Sequence, residues 1–431
     1  MLEGIRILDL TWAIAGPYAT MLLGDLGADI VKIEHPAGGD VTRYAGIHYV
    51  DETSTVFFAF NRNKRSIVLD LQSDQGKQVF SQLIRSADVL VENFRPGTLA
   101  RLGFDATTLG ELRPGLIVCS VSGLGHTGPL SAWGANDLTG QAMGGVLAQN
   151  GPGDGTDHCF PTGVAVSDLS TALNASIAIL AALAARRKPD AAGITQIDLS
   201  LLSSTVSLLS MEAAGYLNAG VVPEPHGSAF SEGFPLEAFP TTDGRFAIAA
   251  AGPDWTRFCR LIGCDELADD ESLNAPDERF RRKHELRPII AKATRKRSTQ
   301  EWLDVLIPAG FSVCPVLRMD EVFAHPQVQH MGLAIEMEQV EGATPLRLAD
   351  TAWEFTDPIS DWKWAKPRRS PPRLGQHTRE VLAEAGYPPT DIDALLEAEV
   401  AMELPSLDAV QARMAARAAS RRPQAAEEKS D

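Results

Sequence analysis

The sequence predicts an α/β protein: a large Rossmann-like domain, with a parallel sheet covered by helices on both faces, joined to a smaller α+β domain. Two observations carry this reading. Short runs rich in Val, Ile and Leu alternate with amphipathic helical stretches as far as Leu202, the pattern of strands buried on both faces. At 221–244 the composition turns to Pro, Gly and Ser, which marks a domain crossing.

Taken in order, IRILDL (5–10) reads as the first strand, followed by a loop and a helix around YATMLLGDLGA (18–28) and a second strand DIVKIEH (29–35). RSIVLDL (65–71) is the next strand. The helical SDQGKQVFSQLIRSA (73–87) leads into DVLVENF (88–94), and LIVCSVSGLG (116–125) follows. The stretch GVAVSDLSTALNA (163–175) opens an apolar helix whose stripe is Leu169, Leu173, Ile177, Leu180 and Ala184, widened by Ala172, Ile179 and Leu183. Arg186, Arg187 and Lys188 suit its last turn and Pro189 its end. TQIDLSLL (195–202) reads as a strand running into a helix. Beyond the Pro-rich stretch come the strand RFAIAAA, charged helices through DERFRRKHELRPIIAKATRKRS and TQEWLDVLIPAGF, then CPVLRM and the helix DEVFAHPQVQHMG, a smaller unit over 225–335. The tail 405–431 is charged and lacks aromatics, so it is expected to fray or be disordered.

Composition narrows the function. At 431 residues and 44% hydrophobic content the chain builds real cores, and 56 acidic against 39 basic side chains leave a formal charge of −17. That charge disfavours nucleic acid or an anionic membrane as partner. Five scattered cysteines show no CxxC or metal spacing, so they are expected to be reduced thiols of a cytoplasmic protein, with no metal. The start lacks a signal-peptide pattern, and the apolar helix at 169–185 carries Ser170, Thr171, Asn174 and Ser176, which places it in a globular core and not in a membrane.

The loop after the first strand, TWAIAGPYAT, has no GxGxxG, and no Walker loop, HExxH or GxSxG occurs. One acid remains of interest. Asp168 stands where an apolar run meets a long apolar helix, and from the residues alone it reads as a helix cap.

Several segments together resemble the class III CoA-transferase family, which includes formyl-CoA transferase. They are LEGIRILDLTWAIAGPYATMLLGDLGADIVKIEHPAGGD (2–40), NRNKRSIVLDL (61–71), DVLVENFRPGTLARLG (88–103), the pair GLGHTGP (123–129) and NDLTGQAMGG (136–145), and SPPRLGQHTREVLAEAGY (370–387). The resemblance runs from Leu2 to Tyr387 and is specific as a set. It implies that Asp168 is the nucleophile, held ionised by backbone N–H groups in a water-poor setting, and that it forms an aspartyl anhydride and then an aspartyl-CoA thioester. For the coenzyme A thioester, which is substrate and not a bound cofactor, it points to Thr11, Trp12, Ala13, Ile14 and Ala15, to His35 and Leu69, and to Asn93, Phe94 and Arg101. Gly227, in PHGSA, is either a flap supplying an oxyanion donor or a flexible linker.

The same resemblance implies an interlocked homodimer in which 1–224 and 336–404 share the large domain. The chain departs from the family at Ile14, which stands where formyl-CoA transferase has Gln; this favours an acid other than the formyl and oxalate pair, such as succinyl-CoA with a dicarboxylate or hydroxy acid. An α-methylacyl-CoA racemase of the same fold would place a His at Asn136, which cannot exchange protons near neutral pH, although His126 lies nearby in sequence. A non-catalytic CoA-binding protein is the third reading.

Overall fold

The computed structural model describes residues 1–185, 193–230, 233–339, 343–353, 355 and 369–420. Its chain divides into two compact units. The larger comprises Met1–Gly144, Val164–Leu208 and Gly332–Asp431, and the smaller Gly145–Gly163 with Leu209–Met331. The smaller unit therefore takes in a stretch that the sequence reading left in the large domain, and it begins at Leu209, before the Pro-rich run.

The large unit is built on a sheet of six parallel strands, β1 (Arg6–Asp9), β2 (Asp29–Glu34), β3 (Lys64–Leu69), β4 (Val89–Glu92), β5 (Ile117–Ser122) and β6 (Thr195–Ser200). Their spatial order is 3-2-1-4-5-6, and the short strand Ala401–Met402 pairs antiparallel on the outer edge of β3. Alternation along each strand supplies two cores. Ile7, Ile30, Val89, Val91, Ile117 and Cys119 face one side. Leu8, Val31, Ile67, Leu90 and Val118 face the other.

Helix α1 (Ala15–Asp25) starts three residues before the sequence expectation, with Pro17 in its first turn, where a missing N–H leaves no intrahelical bond unmade. α2 (Asp74–Arg85) is capped by Ser73, whose Oγ accepts from Gly76 N at 3.0 Å, and it buries Val79, Phe80, Leu83 and Ile84. Phe80 meets Phe104 edge to face at 4.7 Å.

Three further helices frame the candidate site: α3 (Asp137–Met143), α4 (Val166–Ala185) and α5 (Leu201–Leu208). α4 differs from its expected packing. Its buried face is Ser167, Ser170, Thr171, Ala172, Ala175, Ser176 and Ile179, while Leu173 and Ile177 are 46% and 64% exposed. Small residues let α1 approach closely, so that Ser176 Oγ reaches Ala19 O at 3.3 Å, and the bulkier residues are left outside. By length and apolarity this 20-residue helix does reach what a membrane span needs, contrary to the sequence reading. The basic run Arg186–Lys188 and Pro189 lie outside the described residues.

The tail also departs from expectation. Leu407–Ser420 is a helix, and Val410, 2% exposed, packs with Val68 and Leu374. Its apolar positions recur at helical spacing, a signal that the charged composition hid; 421–431 lie outside the described residues.

In the smaller unit the antiparallel strands β7 (Leu236–Pro240), β8 (Arg245–Ala249) and β9 (Ser312–Pro315) lie in the order β9-β8-β7. The Pro-rich stretch 221–244 thus contains a strand. Phe239, Phe246, Ile248 and Val313 pack against Trp255, Phe258, Leu286, Ile290 and Trp302. Arg279, 1% exposed, donates to the carbonyls of Phe234, Leu273, Asn274, Ala251 and Gly252, satisfying loop acceptors that water cannot reach.

Candidate active site

In an open parallel sheet, ligands bind outside the carboxyl ends of the strands where the strand order reverses. Here that point lies between β1 and β4. Thr11–Ala15 leave β1 there, Asn93 and Phe94 leave β4, and His35 and Leu69 close β2 and β3. The sequence-nominated coenzyme residues other than Arg101 therefore gather at one edge of the sheet. Asn93 clasps the first loop from both sides: its Oδ1 accepts from Trp12 N at 3.1 Å and its Nδ2 donates to Trp12 O at 2.7 Å. The Trp12 indole is left 45% exposed.

Not all of these residues present a side chain. Leu69 and Ala15 are 1% and 4% exposed and belong to the cores, so only their main chain stands at the edge. Phe94 is half-buried against the second core, and Phe94 N donates to Glu92 Oε2 at 2.8 Å. Arg101 is exposed, with Nη2 2.7 Å from Thr98 Oγ1, and His35 Nδ1 accepts from Ala37 N at 2.9 Å.

Beneath the first loop lies a network that the sequence reading missed. Asp9 accepts from Thr11 N and Thr11 Oγ1 at 2.8 and 2.5 Å, from Thr20 Oγ1 at 2.7 Å and from Lys64 Nζ at 3.0 Å. Lys32 Nζ donates to Thr11 O at 2.7 Å and pairs with Asp40 at 3.0 Å. Asp40 Oδ1 in turn accepts from Ala13 N at 3.1 Å. Ala13 has φ +69°, a left-handed conformation that a residue with a Cβ holds only when its surroundings fix it. Burial alone would raise Asp9, but the Lys64 and Lys32 ammonium groups and the Thr11 and Thr20 hydroxyls outweigh it and hold the carboxyl well below its usual range. Burial pushes Lys64 down to about 8, with Asp9 opposing. The signal was present: a Lys inside DIVKIE and another opening KRSIVL lie in strands that are otherwise buried and apolar.

α4 brings Asp168 to the same edge. α1 and α4 each run back from the carboxyl edge of the sheet, and the Ser176–Ala19 contact sets their register. Asp168 is eight residues, about 12 Å, toward that edge from Ser176. The helix cap is not Asp168. Asp137, reaching from α3, accepts from Ser167 N at 2.8 Å and from Asp168 N at 3.4 Å, and Gln141 Nε2 steadies it at 2.6 Å. Among the described residues none donates to the Asp168 carboxylate. The expectation that backbone N–H groups hold Asp168 ionised is thereby overturned, because its neighbour takes them. Burial first, and the Asp137 charge second, push Asp168 up to about 7. α3 and α5 complete the frame: a Cβ on Gly140 would stand 2.8 Å from Ser167 Oγ, and Thr205 Oγ1 donates to that oxygen at 2.9 Å.

Asn136 caps α3, accepting from Thr139 N at 3.1 Å in a reciprocal capping box. His126 turns instead to the β5–β6 edge, its Nε2 3.1 Å from Ser120 O and 3.8 Å from Asp198. In the smaller unit, Gly227 has φ +68° and its N–H donates to Gly151 O at 3.0 Å, so the expected oxyanion donor is already engaged. Gly227–Phe230 border an open groove of ≈ 570 Å³ over Ala238, Ala247, Ala249 and Cys314. Among the described residues no group of three His, Cys, Asp or Glu is gathered as a metal site.

The model of CoA-transferase family III matches residues 2–378. The chain belongs to this family. The succinyl-CoA:glutarate CoA-transferase of Homo sapiens is 36% identical over 405 residues, 93% of this chain and 89% of the human one. The succinate–glutarate CoA-transferase of Agrobacterium fabrum is 36% identical over 402 residues, covering 89% of this chain and 95% of that one. A CAIB/BAIF family protein from Brucella suis, solved as a crystal structure, superposes with a TM-score of 0.77 at 32% identity, over 89% of this chain and 99% of that one. This family III protein is thus a CoA-transferase that acts on acyl-CoA thioesters.

Proposed function

We propose that the enzyme moves CoA from a succinyl-type thioester to a small dicarboxylate of glutarate size, with Asp168 as nucleophile. The observation that carries this is a half-buried carboxylate at the sheet's ligand edge that no described residue hydrogen-bonds, raised to about 7. Such a group is ionised in half the molecules at neutral pH and is more nucleophilic than an ordinary Asp. The identity to two succinyl-CoA or succinate and glutarate transferases over about nine-tenths of each chain supports the substrate class.

Asp168 attacks the thioester carbonyl, the C–S bond breaks, and CoA leaves as thiolate. The thiolate attacks the Asp168 carbonyl of the anhydride, releasing the donor acid as carboxylate and leaving aspartyl-CoA. The acceptor carboxylate then attacks this thioester, and the returning thiolate takes the acceptor's acyl group and frees Asp168. Every step exchanges one carboxylate or thiolate for another, so no external proton donor is required.

Asp168→Asn is the test. It is expected to abolish transfer, at least 10³-fold in kcat, while coenzyme A still binds in titration calorimetry. Turnover within tenfold of the parent rules out the nucleophile. Racemisation is disfavoured by Asn136, which the capping box occupies, and deuterium incorporation at the α-carbon of a 2-methylacyl-CoA would reinstate it.

A homodimer belongs to the same proposal. It is supported within the large unit by the outward Leu173 and Ile177 of α4, and within the small unit by the helix Ser210–Ala219, which buries no residue and exposes Leu217 at 77%.

A further inference from the structure

The helix Leu407–Ser420 lies beyond the residues that the family model matches, yet it packs on the turn that leaves β2 toward the ligand edge. Val410 packs with Val68 and Leu374, with Tyr44 and Met402 alongside. Gly38 and Gly39 carry φ +101° and +69°, and a Cβ on Gly38 would stand 3.0 Å from Met414 Cγ and Sδ and 3.5 Å from Val410 Cγ1. The helix thus lies directly against the turn at this glycine. The strand before the helix pairs Ala401 with Leu69 and Met402 with Val68, and Arg413 ties the helix to Glu399 at 2.5 Å.

From the turn the contacts lead inward. Gly39 abuts Glu34 and Leu374, and Glu34 Oε2 accepts from Asp40 N at 2.9 Å. Arg43 and Ser66 hold the Glu34 carboxylate from the other side. Asp40, at the end of the turn, is the residue that pins Ala13 N–H and pairs with Lys32. If the turn relaxes, Asp40 moves, and the loop Thr11–Ala15 is free to leave the strained conformation at Ala13.

We propose that the helix Leu407–Ser420 is a positioning element for the acyl-CoA site, holding the His35–Asp40 turn so that Asp40 fixes the loop Thr11–Ala15. The inference rests on the reading that the thioester binds at this edge. It predicts a specific pattern in KM, because a loop that must be re-formed on binding lowers affinity for the thioester without changing the chemistry at Asp168.

The experiment uses full-length chains: the parent, Val410→Ala with Met414→Ala, Asp40→Asn, and all three substitutions together. KM and kcat for succinyl-CoA, coenzyme A affinity by calorimetry and thermal unfolding are measured on each. The helix variant is expected to raise KM about tenfold, the size of one relaxed backbone strain, with kcat within twofold. Asp40→Asn raises KM in the same direction, and the triple variant is no worse than the larger single effect, because both act through one contact chain. Met414→Leu, which conserves volume, keeps the parent KM and covers the case in which the double variant unfolds. Unchanged KM, effects that multiply, or a fall in kcat alone overturns the proposal. A parent that does not bind coenzyme A at all removes the site itself, a failure of the underlying reading that is distinct from these.

Discussion

Between the ordinary carboxylate value of 3.8 and about 7, Asp168 binds a proton in the folded chain that the unfolded chain has released. Its contribution to stability therefore falls as pH rises through that window, so the site trades stability for a reactive anion. The same shift sets a kinetic limb: below pH 7 the first half-reaction slows about tenfold per unit, because only ionised Asp168 attacks. Asp137→Asn keeps an oxygen for the Ser167 and Asp168 N–H groups and removes the charge that helps raise Asp168. It is expected to move the acid limb to lower pH, read from kcat/KM for acyl-CoA between pH 4 and 9; an unmoved limb shows that burial alone sets the value. Asp168 was legible in the sequence only through the family resemblance, since its setting alone read as a helix cap, a role that Asp137 takes. Its electrostatics were not, because they depend on a second acid 31 positions earlier, on another helix.

At the scale of elements, the strands were legible because a strand buried on both faces leaves a continuous Val, Ile and Leu run. The direction of α4 was not. The sequence leads one to expect its Leu and Ile stripe on the buried face, whereas α4 turns Ala172, Ala175 and Ser176 inward so that α1 lies close. A larger side chain at such a contact forces the helices apart. Ala175→Leu is expected to destabilise the fold by about 1–3 kcal/mol through overpacking, measured by urea unfolding, whereas a neutral result shows that the α1–α4 contact accommodates a larger side chain. The helix Leu407–Ser420 was missed for a related reason: the charge of the tail masked an apolar line only two residues deep, Val410 and Met414.

At the scale of the molecule, the exposed Leu173 and Ile177 are the surface on which the proposed homodimer rests. Leu173→Glu with Ile177→Glu is expected to shift light scattering from dimer to monomer, and a dimer that persists unchanged moves the interface off α4. The division into units was visible in the sequence only as a change of composition. Segments exchanged between units, such as Gly145–Gly163, leave no local mark, since their residues look like any Gly-rich loop. The short strand Ala401–Met402 carries a last consequence, for synthesis of the chain. β3 ends at Leu69, but the strand that covers its outer edge is made 332 residues later. At about 5–20 residues per second the ribosome leaves that edge bare for roughly 20–70 s. For that interval the nascent sheet offers open main-chain donors and acceptors to neighbouring polypeptides. Slowed translation of the last third of the message is therefore a hazard to solubility, and chaperone capture of the emerging chain is the natural protection.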